Sequence, residues 1–167
     1  MAHYFLPKIE LNADPPINPD TNVTLSFGAK GLMKAGFNIP VVITDVPLDK
    51  GGTSYTSKLV LAHLDTGASL TTIDEKLAKE LGLIPIGTSL IHTAAGPKDV
   101  KCYAVSITFP NTNLKGYRLN VNDCILPYDN TKSSLDPQNF ALLVGRDIMA
   151  HWNIVWNGPS STVIISD

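Results

Sequence analysis

The chain has 167 residues, which is enough for one domain with a substantial core and short for two. Its formal net charge is −2 and its basic residues are spread along the chain, so we expect no nucleic-acid groove. No apolar stretch is long enough to span a membrane and no secretory leader is visible. We therefore expect a cytoplasmic protein, or a periplasmic or secreted one if a leader has been removed.

The chain begins with a Pro-rich segment and then changes character. The stretch DPPINPDTN (14–22) predicts an extended arm without regular structure. From Phe37 onward, runs rich in β-branched residues predict strands at 39–46 and 58–65. We therefore divide the chain into an extended N-terminal arm and a single domain: residues 1–36 and 37–167.

A short helix is expected directly after the second strand. Thr72 and Glu75 have the spacing of a capping box, which places the N-cap at Thr72. Leu77 and Leu81 would form its apolar face, and Gly82 would end it.

The second half of the chain is rich in predicted strands. We expect a long hairpin, a strand, a polar loop, a buried strand, a helical turn and a final pair of strands: 89–110 with its tip at 94–97, then 116–126, 127–139, 141–144, 148–152 and 153–166. Because no alternation of helices and strands is present, the residues predict an all-β domain, a barrel or a sandwich, with two short helices.

The stretch LDTGAS (64–69) places an acidic residue, Asp65, at the end of a strand. Gly67 permits a tight turn in which backbone N–H groups approach the carboxylate, and the Thr66 hydroxyl can fix neighbouring backbone. Alone, this tripeptide also fits an ordinary turn. It is followed, however, by a helix, a hairpin with a small-residue tip and the apolar segment LLVGRDIM (142–149).

Together these motifs resemble the retropepsin-like aspartic protease family over about residues 37 to 156. The stretch WNIVWNG (152–158) is similar to the bacterial branch of that family. The resemblance implies an all-β closed barrel with one lobe per chain, and a hairpin that acts as a flap over bound peptide. It also implies hydrolysis of peptide bonds by activated water, without a cofactor or a metal, in a bacterial protein.

The implied mechanism needs two carboxylates that share one proton across the attacking water. Pepsin-like enzymes carry two such motifs in one chain, whereas this chain has a single Asp-Thr-Gly. We therefore expect a homodimer in which Asp65 faces its symmetry mate, with a peptide or protein as substrate. The alternative is a non-catalytic module that keeps the fold for peptide binding or dimerisation.

The resemblance assigns roles to the residues of the motif. Asp65 is the catalytic residue, Thr66 interlocks with the partner's backbone, and Gly67 shapes the turn and offers its carbonyl to substrate. Ala68 stands where some members have a Ser that favours the ionised carboxylate, so we expect activity at weakly acidic rather than strongly acidic pH. Ser69 is a departure, because retroviral members place a substrate-binding Asp at this position.

That departure leaves the partner of Arg146 open. In the retroviral pattern this Arg pairs with the missing Asp, so here it would pair with another carboxylate, such as Asp74, or with backbone carbonyls. Gly145, Arg146 and Asp147 are expected to brace the site rather than to react.

The remaining predicted substrate contacts come from two places. His63 precedes Asp65 by two residues, so it lies on the same side of its strand, where it would narrow a substrate pocket or pair simply with backbone or solvent. Ala94, Ala95 and Gly96 form the small tip of the presumed flap.

No metal site is expected, because the other histidines lack ligand spacing. The two cysteines, Cys102 and Cys124, favour free thiols over a disulfide or a metal role.

Overall fold

The computed structural model describes residues 8–11, 23–26, 36–46, 55–93 and 96–167. The Pro-rich stretch 14–22 and the hairpin-tip residues Ala94 and Ala95 lie outside the described residues. The elements within these ranges are β1 (Lys8–Leu11), β2 (Val23–Ser26), β3 (Asn38–Asp45), β4 (Ser57–Leu64), β5 (Thr72–Asp74), α1 (Glu75–Glu80), β6 (Gly87–Thr93), β7 (Gly96–Thr108), β8 (Tyr117–Cys124), β9 (Phe140–Val144), α2 (Arg146–Met149), β10 (Asn153–Asn157) and β11 (Thr162–Ser166).

Six strands form a closed barrel in the order β3-β4-β9-β5-β8-β7, which β7 completes by pairing with β3. The β4–β9 and β5–β8 pairs are parallel, and the other barrel pairs are antiparallel. β6 pairs with the first half of the long strand β7 and extends the sheet as a hairpin. The prediction of an all-β closed barrel with two short helices is confirmed.

Alternating apolar residues build the core of this barrel. Ile39, Val41 and Ile43 point inward from β3 and are fully buried, as are Val105 and Ile107 of β7. This period of two matches the pleat of a strand, so each strand gives one face to the core. Burying a side chain of this size contributes about 1.5–3 kcal/mol.

A second, four-stranded sheet has the order β1-β2-β11-β10. Its first two strands lie within the predicted N-terminal arm, at Lys8–Leu11 and Val23–Ser26, on either side of the stretch 14–22. β2 pairs with β11 at the other end of the chain, a long-range pairing that local Pro and Asn content does not reveal. The boundary at residue 36 stays a prediction.

The two helices begin at different residues from those predicted. α1 is capped by Asp74, whose side chain accepts a hydrogen bond from Lys76 N at 2.8 Å, whereas Thr72 lies in β5. The predicted cap at Thr72 is therefore wrong. Gly82 follows α1 at φ +67, as its role in ending the helix requires. α2 begins at Arg146, two residues before the start of the expected helical turn. Neither of the described helices is long and apolar enough to cross a membrane.

Candidate active site

The end of β4 holds the Asp65 carboxylate in a tight loop. Asp65 N donates to Val144 O at 3.1 Å, which fixes the loop to the end of the parallel strand β9. Gly67 N donates to Asp65 Oδ1 at 2.8 Å, and Ala68 N donates to Asp65 O at 3.1 Å. A Cβ at position 67 would lie 3.0 Å from Asp65 Oδ1, so the turn favours glycine.

Arg146, the first residue of α2, spans this loop from beneath. Its Nη1 donates to Thr66 O at 2.7 Å and to Gly67 O at 3.2 Å, and its Nη2 donates to Ser69 Oγ at 2.8 Å. Its backbone N donates to Ala68 O at 3.0 Å. Of the two partners left open by the sequence, Arg146 takes backbone carbonyls, together with the hydroxyl that replaces the expected acid.

Asp74, the carboxylate suggested as a partner of Arg146, binds other groups instead. Its Oδ1 accepts from Lys76 N and its Oδ2 accepts from Leu126 N, both at 2.8 Å, and its side chain is fully buried. It therefore holds α1 and the end of β8 together.

The segment after the motif is clamped to the start of α2. Asp147 Oδ2 accepts from Thr71 N at 2.9 Å, and Asp147 Oδ1 accepts from Thr71 Oγ1 at 2.7 Å. Thr71 Oγ1 in turn accepts from Gly145 N at 3.1 Å. A Cβ at position 145 would lie 2.5 Å from the carbonyl carbon of Leu70, so only glycine allows this close approach of two backbones. Sequence reasoning missed Thr71, because no local pattern marks it.

His63 lies near the end of β4, two residues before Asp65, and its ring is half-buried. Its Nδ1 is 2.7 Å from Asn38 Oδ1, and its ring stacks on Phe140 at 5.0 Å between centroids. Burial lowers the pKa of His63, and the negative charge of Asp65 partly opposes that shift. His63 is therefore neutral at pH 7. Asn38 was also missed, since its role depends on strand pairing.

An apolar groove of about 320 Å³ runs beside the Asp65 loop. It is lined by residues before β3, at the end of β4, in α2 and in β10: Gly36, Phe37, His63, Leu64, Thr66, Met149, Ile154 and Trp156. Trp156 packs edge-on against Phe37 with ring centroids 5.7 Å apart, yet 55% of it is exposed. The groove thus joins the Asp65 loop to an exposed aromatic side chain.

The predicted site residues fall into two groups in the structure. Residues 65–69 and 145–147 belong to the hydrogen-bonded segments described above, and His63 lies beside them at the end of β4. The hairpin residues lie apart from these segments: Gly96 begins β7 opposite Thr93, at φ +113. The hydrogen bonds measured around Asp65 involve no residue of the described part of the hairpin.

Metal-ligating and nucleophilic groups are dispersed over the described part of the chain. No group of three or more His, Cys, Asp or Glu side chains there could hold a metal ion. Cys102 and Cys124 are free, and burial raises the pKa of both thiols, so both are protonated at neutral pH.

Comparison with known proteins agrees with this geometry. The family model described as "Aspartyl protease" matches residues 39–148, which span the barrel, the Asp65 loop and most of α2. The chain therefore belongs to the aspartyl protease family, and the predicted membership of an aspartic protease family is confirmed. Among proteins with curated descriptions, none matches the chain.

Solved structures of related proteases cover most of the chain at low identity. The solution structure of the simian foamy virus (mac) protease is 20% identical, with a TM-score of 0.39, and the match covers 68% of this chain and 92% of that one. The crystal structure of a retropepsin-like aspartic protease from Rickettsia conorii is 14% identical, with a TM-score of 0.39, and covers 77% and 91%.

Proposed function

We propose that this protein is an aspartic endopeptidase whose active site forms between two copies of the chain. Asp65 from each copy supplies one carboxylate, and a water held between them attacks the scissile carbonyl. Two carboxylates close enough to hold one water between them cannot both ionise, so they share one proton. One then acts as general base and the other as general acid. No covalent intermediate and no cofactor is needed.

The observation that carries this proposal is the pre-formed Asp65 loop. A carboxylate held by Gly67 N at 2.8 Å, in a loop that Arg146 braces through Thr66 O, has a fixed position before substrate arrives. Pre-positioned groups lower the barrier because their orientation costs nothing during reaction. An ordinary turn would not need a half-buried clamp such as the one Asp147 forms with Thr71 behind it.

The second carboxylate has no source near Asp65 among the described residues. Asp147 uses both oxygens on Thr71, and Asp74 uses both on backbone N–H groups. Both carboxylates thus hold neighbouring backbone in place rather than face Asp65. This supports a second copy as the source, because the mechanism is incomplete with one carboxylate.

The groove and the edge of β10 supply a surface that a second copy would fit. Within the described residues β10 pairs only with β11, so its other edge is open, and Val155 and Trp156 on it are 40% and 55% exposed. The groove lining contains no Lys, Arg, Asp or Glu, so a two-fold contact would bring no like charges together. We place β10 of each copy against β10 of the other, with Thr66 of each next to the axis.

Substrate would lie across the paired loops. We assign Gly67, Ala68 and Ser69 to its backbone, His63 to a side-chain pocket, and the β6–β7 hairpin with Ala94, Ala95 and Gly96 to the flap. Ala68 gives the carboxylate no hydroxyl donor, so we expect the highest activity at weakly acidic pH.

Cleavage of a mixed peptide library tests the activity. Wild-type protein should cleave between about pH 4 and about pH 7, and Asp65→Asn, which keeps size and shape, should lose at least about 1,000-fold in kcat/KM. Asp136→Asn, which removes an exposed loop carboxylate that accepts only Gln138 N, is the matched control and should keep activity. Equal cleavage by wild type and Asp65→Asn would exclude the mechanism.

Mixing the two proteins tests whether the site is shared. If each active site needs two copies of Asp65, an equal mixture that has exchanged subunits keeps only about one quarter of wild-type activity, because about half of the dimers are mixed. If each active site lay within one chain, the same mixture would keep about half of the wild-type activity. A dimer that binds peptides saturably without cleaving them would instead support the non-catalytic module.

A further inference from the structure

The half-buried ring of His63 has fixed neighbours that the Asp65 loop does not explain. Asn38 lies directly opposite His63 in the β3–β4 pair and is 1% exposed. Phe140 stacks on one face of the His63 ring. Gly36 also lies against this ring, because a Cβ at position 36 would be 2.5 Å from His63 Cε1. The ring therefore has little freedom to turn.

A second bond of Asn38 fixes which ring nitrogen carries the proton. Asn38 Nδ2 donates to Pro137 O at 2.8 Å, and a carbonyl can only accept. The amide oxygen must then face His63, and since that oxygen also only accepts, the hydrogen between them belongs to His63 Nδ1. In the neutral ring this leaves Nε2 as the unprotonated nitrogen.

Among the described residues, one charged group acts on the ring of His63. It is Asp65, which follows His63 by two residues, just after the end of β4. The other elements packed against the ring contribute Asn38, Phe140 and Gly36, and its remaining groove neighbours are apolar apart from Thr66. Proton uptake at Nε2 would therefore place a positive charge near Asp65, the one described charged group that acts on the ring.

We propose that Asn38 is a positioning residue that fixes His63 as the Nδ1–H tautomer, so that Nε2 alone takes up or releases a proton beside Asp65. The hydrogen bond that Asn38 Nδ2 donates to Pro137 O keeps the amide in this orientation. The loop before β9 therefore helps to fix the tautomer of His63. The ring keeps its bond to Asn38 in both charge states, so a change of charge needs no movement of the ring. Its effect on catalysis rests on the proposed function; the tautomer does not.

Nuclear magnetic resonance of ¹⁵N-labelled protein tests the tautomer directly. The neutral ring of His63 in the wild type should give the pattern of a protonated Nδ1 and an unprotonated Nε2, assigned by loss of its signals in His63→Gln. A protonated Nε2 in the neutral wild-type ring would overturn the proposal without any further variant.

Substitutions at Asn38 test its positioning role. In Asn38→Leu the imidazolium loses an acceptor, so His63 should take up its proton at lower pH than in the wild type. In Asn38→Asp a carboxylate faces Nδ1, and the titration should move upward by about one pH unit or more. Asn122→Leu, which alters another buried asparagine on the far strand β8, should leave the titration unchanged. The same titration in Asn38→Leu and the wild type would overturn the proposal.

The pH dependence of kcat/KM separates this inference from the proposed function. Its acidic limb should move in the two Asn38 variants in step with the titration of His63, and should stay in place in Asn122→Leu. An unmoved limb in an active enzyme would show that the ring has no catalytic effect. If wild-type protein cleaves no peptide, the proposed function is wrong, and the tautomer is still decided by resonance.

Discussion

Ser69 is the residue at which this chain departs most clearly from the retroviral pattern. Arg146 Nη2 contacts its hydroxyl at 2.8 Å, and the same guanidinium contacts the carbonyls of Thr66 and Gly67. The bracing of the loop thus survives without an ion pair, because the planar guanidinium can donate to several acceptors at once.

Restoring the acid should strengthen this brace. Both Ser69 and Arg146 are exposed, so we expect Ser69→Asp to raise the free energy of unfolding by only about 0.2–1 kcal/mol. Urea unfolding of Ser69→Asp and of the wild type measures the gain. The same substitution in an Arg146→Met background is the control, and an equal gain there would show that the new carboxylate acts without Arg146.

His63 should make stability depend on pH. Burial lowers its folded-state pKa below the ordinary value of 6.5, despite the opposing charge of Asp65. Between these two values the unfolded chain binds more protons, so the free energy of unfolding increases with pH up to about 6.5 and gains nothing from this group above it. Glu80 acts in a separate window: its bond to Lys58 lowers its pKa from 4.5, so its contribution is lost only as pH falls below that value.

Urea unfolding at about pH 5, 6 and 7 measures the contribution of His63. His63→Gln should lose the part of the slope that lies below about pH 6.5. Parallel curves for His63→Gln and the wild type would show that the ring titrates alike in the folded and unfolded chain.

At the scale of elements, Asp74 joins α1 to the end of β8. Asp74→Ala would remove a fully buried carboxylate and leave the N–H groups of Lys76 and Leu126 without their acceptor, so we expect a loss of about 2 kcal/mol or more in the free energy of unfolding. Thr72→Ala, at the cap position that the sequence indicated, should cost less. Thermal and urea unfolding of both variants decides this, and a larger loss for Thr72→Ala would contradict the observed cap.

The N-cap of α1 was predicted two residues too early, because the sequence does not reveal the strand β5. Thr72 and Glu75 satisfy the capping-box pattern, but residues 72–74 form a short strand between β8 and β9. A three-residue strand with one parallel and one antiparallel neighbour has no local signature. The longer strands were predictable because their apolar residues alternate, and β4 and β9 lie within one residue of the predicted bounds.

The candidate site divides in the same way. The Asp65 loop and the Gly145-Arg146-Asp147 segment were predictable, because both are continuous in sequence and occur in a defined order. Asn38 and Thr71 were not, since each acts through a partner far along the chain, Asn38 on Pro137 and Thr71 on Asp147. Such contacts exist only once the barrel has set the register of its strands.

At the scale of the whole molecule, closure of the barrel and the open edge of the second sheet have different consequences. The β3–β7 pairing leaves no free edge in the six-stranded ring. In the second sheet, β11 lies between β2 and β10, so the terminal segments of one chain pair with each other. Among the described residues this sheet ends in β1 on one side and in β10, with its exposed Trp156, on the other, and we propose β10 as the edge that a partner would use.

Trp156 should therefore control dimer formation without entering the chemistry. Trp156→Glu removes an exposed aromatic surface and places a charge in the apolar groove, so we expect the dimer dissociation constant to rise about 30-fold or more. Sedimentation over a range of protein concentrations measures this constant. Activity per chain should fall at low concentration and recover at high concentration, because the Asp65 loop itself is unaltered.

Tyr55→Glu is the matched control for this experiment. Tyr55 is 63% exposed, comparable to Trp156, but does not line the groove, so its substitution should leave both dissociation and activity unchanged. Urea unfolding of the two variants checks that each retains its fold. A dissociation constant unchanged by Trp156→Glu would place the contact between copies on another face. Activity that stays low at every concentration, in a folded dimer, would instead give Trp156 a role within the active site.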